Sequence, residues 1–320
     1  MTKLTFTPLV LGGNVFGWTA DRDASFAVLD AFVAAGGVSI DTADVYSAWV
    51  PGNSGGESET IIGEWMASRG NRERVQIATK VFQHPERKGL SAANIRAAVD
   101  DSLKRLRTDY VDLYYAHRDD PDVDQAEYVA AFDELVRAGK VREVGASTFT
   151  AERLRSAVEF ARAEGLTPFT VSQDHYNLVE RGYETSLRDT VAELGLVEIP
   201  YWSLASGFLT GKYRPGNQVD SVRAGDAGAY LQNPANVRLL EVLDDVAAAH
   251  RSTVTAVSLA WLAAQPTVAA PLASARTPEQ LPDLLAAASL QLNTIELDLL
   301  SATATVPAEQ PGAHTSRPRN

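Results

Sequence analysis

The sequence predicts an α/β fold, and within that class a single-domain (β/α)8 barrel, or TIM barrel. Three observations carry this prediction. Apolar, strand-like segments alternate strictly with segments of helical periodicity, an order typical of a parallel sheet whose strands are joined by helices. Eight such units fit into 320 residues, a length that a closed barrel commonly fills. The competing open, doubly wound sheet would carry a Gly-x-Gly-x-x-Gly turn after its first strand, whereas residues 12–17 read GGNVFG.

Each predicted strand is a short apolar run that ends at a turn or at a polar residue. The first of them, Leu9 to Leu11, stops at Gly12-Gly13. The predicted strands are residues 9–11, 38–40, 75–79, 111–116, 141–146, 169–172, 197–202 and 268–272.

The segments between the strands space their apolar residues three or four positions apart, as amphipathic helices do. In 91–106 the stripe consists of Ile95, Val99, Leu103 and Leu106, with Ser91 as the N-cap. The predicted helices are residues 25–35, 57–68, 91–106, 125–137, 151–163, 185–194, 236–250, 254–264 and 278–287. A long polar segment, 210–234, interrupts the series. We expect the barrel to occupy residues 1–306 and the Pro-rich tail, 307–320, to be disordered.

Composition excludes several classes of function. The chain has no cysteine, so disulfides, thiolate nucleophiles and cysteine-bound metals are ruled out. A net charge of −12 disfavours binding to nucleic acid or to an anionic membrane. No apolar run reaches 18 residues and no signal peptide is evident, so we expect a cytoplasmic protein without membrane partners.

Polar side chains stand at the carboxyl ends of several predicted strands, where barrel enzymes carry their catalytic groups. If those strands are neighbours, the side chains converge on one mouth of the barrel. The candidates are Asp41 and Tyr46 after the second strand, Lys80 after the third, His117 after the fourth, Ser147 after the fifth and Gln173 after the sixth.

These residue types suit acid–base chemistry at a carbonyl group. A tyrosine, with an ordinary pKa of about 10, is a poor acid at neutral pH. A nearby Lys80 would lower that pKa, and Asp41 would hold the lysine in place and keep it charged. His117 could then orient a carbonyl oxygen toward the Tyr46 hydroxyl. The set predicts proton delivery to a carbonyl while a hydride arrives from elsewhere.

Each of these residues alone also has a structural explanation. Asp41 could be a helix N-cap, Lys80 a solvated strand end and His117 a core histidine. Their joint spacing, about one βα unit between successive members, favours the catalytic interpretation. Asp119 and Asp120 beside His117 could suggest a metal site, but that loop supplies no second histidine, and we expect no metal.

Three aromatic residues, Trp18, Trp49 and Phe82, lie in the loops after the first three strands. They would line an apolar substrate pocket, although single exposed aromatic residues are also common.

Several segments resemble the aldo-keto reductase superfamily, and they follow its order from about Leu9 to Leu300. These segments are DTADVY at 41–46, GESE at 56–59, TK at 79–80, SLKRL at 102–106, DYVDLY at 109–114, HR at 117–118, GKVREVGAS at 139–147, SGFLTGKY at 206–213 and ARTPEQL at 275–281. The resemblance implies a catalytic tetrad of Asp41, Tyr46, Lys80 and His117, with Tyr46 as general acid in reduction and general base in oxidation. It also implies a nicotinamide cofactor, usually NADPH, that lies across the barrel mouth without a Rossmann motif.

The same resemblance implies a set of cofactor contacts. From the nicotinamide to the adenine they are Ser147 and Gln173 at the carboxamide, Tyr201 against the ring, Leu204, Ser206 and Gly207 around the pyrophosphate with Lys212 as a charge partner, Arg276 at the 2′-phosphate and Gln280 beside the adenine.

The sequence departs from the family pattern at three of the cofactor positions. Thr148 and Leu284 replace the usual asparagines, and Ser274 replaces a common glycine. These departures leave NADH open as an alternative cofactor. The chain also begins close to its first strand, so the family's N-terminal hairpin looks shortened.

We therefore predict an NADPH-dependent reductase that interconverts a small-molecule aldehyde or ketone with its alcohol. One alternative is a cofactor-binding regulatory or auxiliary subunit with little turnover, because some members of this superfamily resemble channel auxiliary subunits. Another is a barrel lyase or isomerase that acts on sugars or phosphates. The sequence leaves the substrate, the preferred direction and the oligomeric state open.

Overall fold

The computed structural model describes residues 4–304 and contains two sheets. Eight strands form one parallel sheet, and two short strands form an antiparallel hairpin after β3. The strands are β1 (Val10–Gly12), β2 (Ser39–Asp41), β3 (Gln76–Val81), β4 (Gln83–His84), β5 (Arg87–Lys88), β6 (Val111–Ala116), β7 (Val141–Ser147), β8 (Val171–Gln173), β9 (Val197–Glu198) and β10 (Leu272–Ala273).

The parallel sheet closes on itself to make the predicted (β/α)8 barrel. Its order is β10-β1-β2-β3-β6-β7-β8-β9. The two ends meet where Glu198 of β9 pairs with Val268, just before β10. The Glu198 N–H donates to the Thr267 carbonyl at 2.8 Å, and the Ala269 N–H donates to the Glu198 carbonyl at 2.9 Å. The fold prediction is therefore confirmed.

Helices connect the strands of the barrel, two more helices follow the last strand, and most of the helices begin at a capping side chain. Asp21, Ser91, Asp124, Thr150, Asn233, Thr253 and Asn293 each accept a backbone N–H of the first turn. The helices are α1 (Arg22–Ala34), α2 (Glu57–Arg69), α3 (Ala92–Leu106), α4 (Gln125–Arg137), α5 (Ala151–Ala163), α6 (Leu187–Glu193), α7 (Ala224–Ala229), α8 (Pro234–Ala249), α9 (Val254–Ala263), α10 (Leu281–Ala286) and α11 (Thr294–Thr303).

Two of these helices were not predicted from the sequence. Short helix α7 lies inside the polar segment that was expected to be a loop. Helix α11 begins with a capping box in which Asn293 and Glu296 bond each other's backbone N–H groups. In α1, the Asp21 side chain accepts from the Ala24 N–H, so the helix starts at Arg22 rather than Ser25.

Strands β9 and β10 are shorter than predicted, and β3 is longer. Pro200 and Pro271 lie within the two predicted segments, and proline lacks the N–H that a sheet ladder requires. Strand β3 continues to Val81, so Lys80 lies inside the strand instead of following it.

The amino end of the barrel is filled by a small apolar cluster separate from the main core. It contains Val10, Leu113, Tyr115, Val171, Ile199 and Ala270, and Leu4 and Phe6 pack against it. The Leu4 N–H also donates to Glu143 Oε1 at 2.7 Å. Residues 4–9 contain no strand, and the predicted tail, 307–320, lies outside the described residues. The packed amino end leaves the carboxyl ends of the strands as the accessible mouth.

Candidate active site

Three residues meet at the carboxyl ends of β2 and β3. The Lys80 ammonium forms an ion pair with Asp41 Oδ1, and it donates to the Thr42 carbonyl at 2.8 Å and to Tyr46 Oη at 3.1 Å. Lys80 and Asp41 are fully buried, whereas Tyr46 is half-buried at the mouth. A buried, charged pair thus supports a phenol that faces the opening.

Strand register explains this meeting. Asp41, the last residue of β2, lies opposite Ala78 of β3, and Lys80 follows two residues later on the same face of the sheet. The turn after β2 then returns toward β3, because the Asp44 N–H donates to the Lys80 carbonyl at 3.3 Å and the Tyr46 N–H donates to the Ala43 carbonyl at 3.2 Å.

Gln173 completes the surroundings of Asp41. Its side-chain amide donates to Asp41 Oδ2 at 3.0 Å, so each oxygen of the buried carboxylate has a partner. Ser147 is buried opposite Gln173 in the register of β7 and β8. Both predicted carboxamide ligands therefore lie at the floor of the site.

His117 follows β6, and its backbone N–H donates to the Val81 carbonyl at 2.9 Å. Its ring lies edge-on to the Tyr46 ring, with the centroids 6.1 Å apart. Nδ1 of His117 is buried and has no hydrogen-bond partner among residues 4–304. Burial, followed by the charges of Lys80 and Arg118, holds the pKa of His117 well below its usual value. The imidazole is therefore neutral at neutral pH and has one N–H to donate.

The pKa of Tyr46 differs from the sequence-based prediction. Lys80 lowers the pKa of the phenol as predicted, but burial has the larger and opposite effect, so the net pKa is raised. Burial also lowers the pKa of Lys80, yet the charges of Asp41 and Tyr46 outweigh it and leave the pKa raised. Lys80 is therefore charged and Tyr46 protonated at neutral pH.

An aromatic wall stands beside Tyr46. The ring centroid of Trp49 lies 6.2 Å from that of Tyr46 and 5.6 Å from that of Trp18. Trp49 is 46% exposed, so this wall faces the opening. Phe82, the third predicted pocket residue, is partly buried against the main core.

The loop after β9 adopts an unusual backbone conformation. Trp202, Ala205, Ser206 and Gly207 all have positive φ, at 53°, 47°, 56° and 95°. Such angles are costly for residues other than glycine and concentrate at functional sites. The turn is held by the Gly207 N–H, which donates to the Leu204 carbonyl at 2.8 Å. Its backbone N–H groups suit an anionic group, which fits the pyrophosphate of a dinucleotide.

Tyr201, at the start of this loop, stacks on His175 with the ring centroids 5.4 Å apart and the planes 15° from parallel. Trp202 is 49% exposed, and its ring lies edge-on to His175 at 5.1 Å. Neither His175 nor Trp202 was predicted from the sequence as a site residue.

The three departures from the family pattern have structural counterparts. Thr148 has a φ of +56°, a strained value for a β-branched residue. The Ser274 hydroxyl donates to Asn14 Oδ1 at 2.6 Å, which ties β10 to the turn after β1. Leu284 is 4% exposed and belongs to the main hydrophobic core, so its side chain serves packing.

The predicted phosphate and adenine contacts follow β9 and β10. Lys212 is exposed, with its ammonium 5.0 Å from the Tyr213 ring centroid. The Arg276 N–H donates to Gln280 Oε1 at 2.8 Å, so the Gln280 amide oxygen holds the backbone of this turn. The guanidinium of Arg276 is partly exposed and carries the only charge in the turn 274–278.

A further basic residue, Arg223, reaches this region from the segment before α7. Its guanidinium carbon lies 5.4 Å from the ring centroid of Trp18. No local sequence signal marks Arg223, because it is one arginine within a polar segment.

Among residues 4–304, no group of three or more His, Asp or Glu side chains is arranged to hold a metal ion. In the same range no helix has the length and apolarity needed to cross a membrane.

Comparison with known proteins gives the family. The sequence profile of the Aldo/keto reductase family matches residues 8–304, nearly the whole described chain. The chain belongs to the aldo/keto reductase family. This aldo/keto reductase is 33% identical over 314 residues to an uncharacterized oxidoreductase, YrpG, of Bacillus subtilis, with 94% of this chain and 93% of the relative covered.

Two further relatives have more specific names. An aryl-alcohol dehydrogenase [NADP(+)] of Phanerodontia chrysosporium is 30% identical, covering 94% of this chain and 83% of the relative. A norsolorinic acid reductase of Emericella nidulans is 31% identical, covering 93% and 78%. The resemblance read from the sequence is confirmed. This aldo/keto reductase is an NAD(P)H-dependent oxidoreductase, and its relatives support carbonyl reduction as the general type of reaction.

Proposed function

We propose that this aldo/keto reductase is an NADPH-dependent carbonyl reductase, reversibly converting an aldehyde or ketone into its alcohol, with Tyr46 as general acid and base. One observation carries the proposal: the buried Lys80 ammonium contacts both Asp41 and the Tyr46 hydroxyl, at 3.1 Å from the latter. A phenol that must release and recover a proton needs a fixed positive charge beside it, and this geometry provides one.

The protein residues divide the acid–base work. Tyr46 gives its proton to the carbonyl oxygen, and the Lys80 charge stabilises the phenolate that remains. Asp41 and Gln173 hold Lys80 in position. The neutral His117 donates its N–H toward the same oxygen. NADPH, when bound, supplies the hydride. In the oxidative direction the Tyr46 phenolate accepts the proton of the alcohol.

The cofactor assignment rests on the donor set around the mouth. The Gln173 amide nitrogen is engaged by Asp41, which leaves its oxygen to accept from the nicotinamide carboxamide beside Ser147. Tyr201 stacks one face on His175, and we assign its other face to the nicotinamide ring. The positive-φ loop and Lys212 suit the pyrophosphate, and Arg276 suits the 2′-phosphate. The NADP(+) in the name of one relative also supports NADPH.

The aromatic wall indicates the class of substrate. Trp18 and Trp49 would pack against a planar, apolar carbonyl compound held near Tyr46. Two relatives are named for aryl-alcohol and norsolorinic acid reactions, which agrees with an aromatic substrate. We therefore expect benzaldehyde and its derivatives to be reduced faster than aliphatic aldehydes of equal size.

The direct test is Tyr46→Phe. Loss of the general acid should reduce kcat for benzaldehyde by about 10²–10⁴-fold, while the Kd of NADPH changes little. Tyr110→Phe, the same chemical change far from the mouth, is the matched control and should leave kcat unchanged. An unaffected rate in Tyr46→Phe would refute the assigned acid. Tight NADPH binding with negligible wild-type turnover across the panel would instead favour the auxiliary-subunit alternative.

The cofactor preference is tested separately with Arg276→Ala. The substitution should raise the KM for NADPH by about tenfold or more, because a charge-assisted contact to the 2′-phosphate is lost. The KM for NADH should stay nearly constant. Equal effects on the two cofactors would contradict the 2′-phosphate role.

A further inference from the structure

A cavity of about 600 Å³ lies beside the loop after β2, between α2, α3 and the hairpin of β4 and β5. Helix and loop residues line it, and none of the side chains assigned to the cofactor or to the reacting carbonyl is among them. Its volume lies within the range of about 300–1,000 Å³ that is typical of small-molecule sites. The cavity is therefore large enough for a ligand of its own.

Asp44 lines this cavity and is 1% exposed. Both of its carboxylate oxygens are buried and have no hydrogen-bond partner among residues 4–304. Buried carboxylates are normally hydrogen-bonded or paired with a cation, because their desolvation is otherwise costly. Burial, followed by the charge of Glu59, raises the pKa of Asp44 well above its usual value, and Arg105 and Lys80 oppose this only in part. The protein thus supplies less positive charge around Asp44 than an ionised carboxylate needs.

The three arginines that line the cavity are already paired with carboxylates. The pairs are Arg22–Glu64 at 2.7 Å, Arg87–Asp101 at 2.6 Å and Arg105–Glu59 at 2.6 Å. An anionic ligand would have to compete with these carboxylates for the guanidinium groups. The arrangement therefore disfavours an anion as the occupant.

The remaining charged residues of the cavity are acidic. Glu57 and Glu86 line it, and neither forms an ion pair within the described range 4–304. The Glu57 carboxylate accepts the Ser54 N–H at 2.7 Å, so it is held at the edge of the loop. Burial, followed by the charge of Arg105, lowers the pKa of His84, so this lining residue is neutral at neutral pH. The cavity as a whole is therefore negative and suits a cation.

A chain-like organic cation matches this cavity better than a metal ion does. In the part of the chain that the structure describes, no three His, Asp or Glu side chains are placed to share a metal. Because Asp44 is almost closed off, only a narrow group can reach it. An ammonium on an alkyl chain is narrow and brings three N–H donors to the two carboxylate oxygens. Ile61 and Ala98, which also line the cavity, would contact the alkyl chain.

We propose that this cavity binds an aliphatic amine with two or more ammonium groups, one of them at Asp44 and another near Glu57 and Glu86. The buried, unpartnered carboxylate at the cavity wall is the observation that carries the inference. It does not rest on the proposed function, because neither a dinucleotide nor a carbonyl compound takes part in the binding.

Isothermal titration calorimetry of the full-length protein with putrescine and spermidine tests the site. Each amine should bind at one molar equivalent, whereas 1,4-butanediol, the neutral analogue of putrescine, should not bind. Asp44→Asn should weaken putrescine binding by about tenfold or more, because a hydrogen bond to a charged group is lost. The matched control is Asp298→Asn, at an exposed position of α11 outside the cavity, and it should bind putrescine as the wild type does.

Ser54→Tyr gives a second test that does not alter a buried residue. Ser54 is exposed and lines the cavity, so the larger side chain would occupy the space of the ligand. Putrescine binding should be lost, while thermal melting should show that the variant is folded. The same melting measurement verifies the folding of Asp44→Asn, and Ser54→Tyr decides the question if Asp44→Asn does not fold.

Several results would overturn the proposal. They are a wild type that binds neither amine, butanediol binding as tight as that of putrescine, and a folded Asp44→Asn or Ser54→Tyr that keeps the wild-type affinity. Equal binding of Mg²⁺, or an equal loss of affinity in Asp298→Asn, would mean that cations are merely attracted to an acidic protein, and would also overturn it. A protein that binds putrescine but not NADPH would refute the proposed function and leave this inference intact.

Discussion

Gln173 donates its side-chain amide to the carboxylate of Asp41 at 3.0 Å, although 132 residues separate the two in the chain. The contact spans the barrel mouth, from the end of β8 to the end of β2. It leaves no oxygen of the buried Asp41 carboxylate without a partner, which is what a buried charge requires. A residue expected to contact the cofactor thereby also supports the proposed catalytic group.

Replacing Gln173 with glutamate tests this support. The new carboxyl group would lie against Asp41, and repulsion between the two would raise their pKa values. At low pH the added group is protonated and can donate as the amide does. As the pH rises it ionises and weakens the hold on Lys80. The ratio of variant to wild-type kcat should therefore fall with rising pH, measured with benzaldehyde and saturating NADPH. A ratio that is constant across the pH range would argue against the supporting role.

Thr148 offers a test of backbone strain. Its φ of +56° is a conformation that asparagine tolerates much better than a β-branched residue does. Thr148→Asn should increase the free energy of unfolding by about 1 kcal/mol, as seen by urea denaturation. Thr148→Val keeps the branched side chain and should show no gain. Equal stability of the two variants would mean that the backbone angle carries little strain.

A buried pair of acids lies beneath Tyr201. Glu198 Oε1 accepts the Asp174 N–H at 2.7 Å, and Ser172 Oγ donates to Asp174 Oδ2 at 3.1 Å. Glu198 Oε2 is buried without a partner among residues 4–304. Burial raises the pKa of Glu198 to about 7, and burial together with the charge of Glu198 raises the pKa of Asp174 well above its usual value. The folded protein therefore holds protons here that the unfolded chain releases.

The sign of the resulting pH effect follows from linkage. Because the folded-state pKa of Glu198 is raised from 4.5 to about 7, the folded state binds more protons between these values. Stability should decrease as the pH rises through this window. Glu198→Gln should remove this pH dependence. The difference in Tm between the variant and the wild type, measured by thermal melting, should therefore grow in favour of the variant from pH 4.5 to 7. The exposed Glu164→Gln should show no such growth, and the same behaviour in both variants would exclude a role for the buried pair.

Gly63 of α2 packs against the backbone at the end of α3. A Cβ at this position would lie 2.2 Å from the Arg105 carbonyl oxygen and 2.7 Å from Leu106 backbone atoms. Backbone cannot yield as a flexible side chain can, so Gly63→Ala should lower the free energy of unfolding by about 1–3 kcal/mol despite the better helix propensity of alanine. Gly228, in α7, has open space around its Cβ position, and Gly228→Ala should be neutral or stabilising. Urea denaturation of both variants makes the comparison, and a neutral Gly63→Ala would mean that the helices can separate at little cost.

The sequence was most informative where local pattern and topology agree. Asp41 and Lys80 could be expected at one mouth because parallel strands in a barrel bring their carboxyl ends together, and register then places them on the same face. It was least informative about element ends. Pro200 and Pro271 shorten two strands, and α7, whose sequence AGDAGA contains two glycines, lies in a segment whose polar composition resembles a loop.

The sequence by itself determined the fold, the family and the set of polar residues at the strand ends. Periodicity, the alternation of strands and helices along the chain, and short motifs can all be read directly from the sequence. Only the tertiary structure decided that the Gln173 amide bonds Asp41, that Arg223 covers Trp18, and that burial outweighs Lys80 in setting the pKa of Tyr46. These are long-range contacts and desolvation effects. They depend on which distant segments become neighbours, and no short stretch of sequence records that.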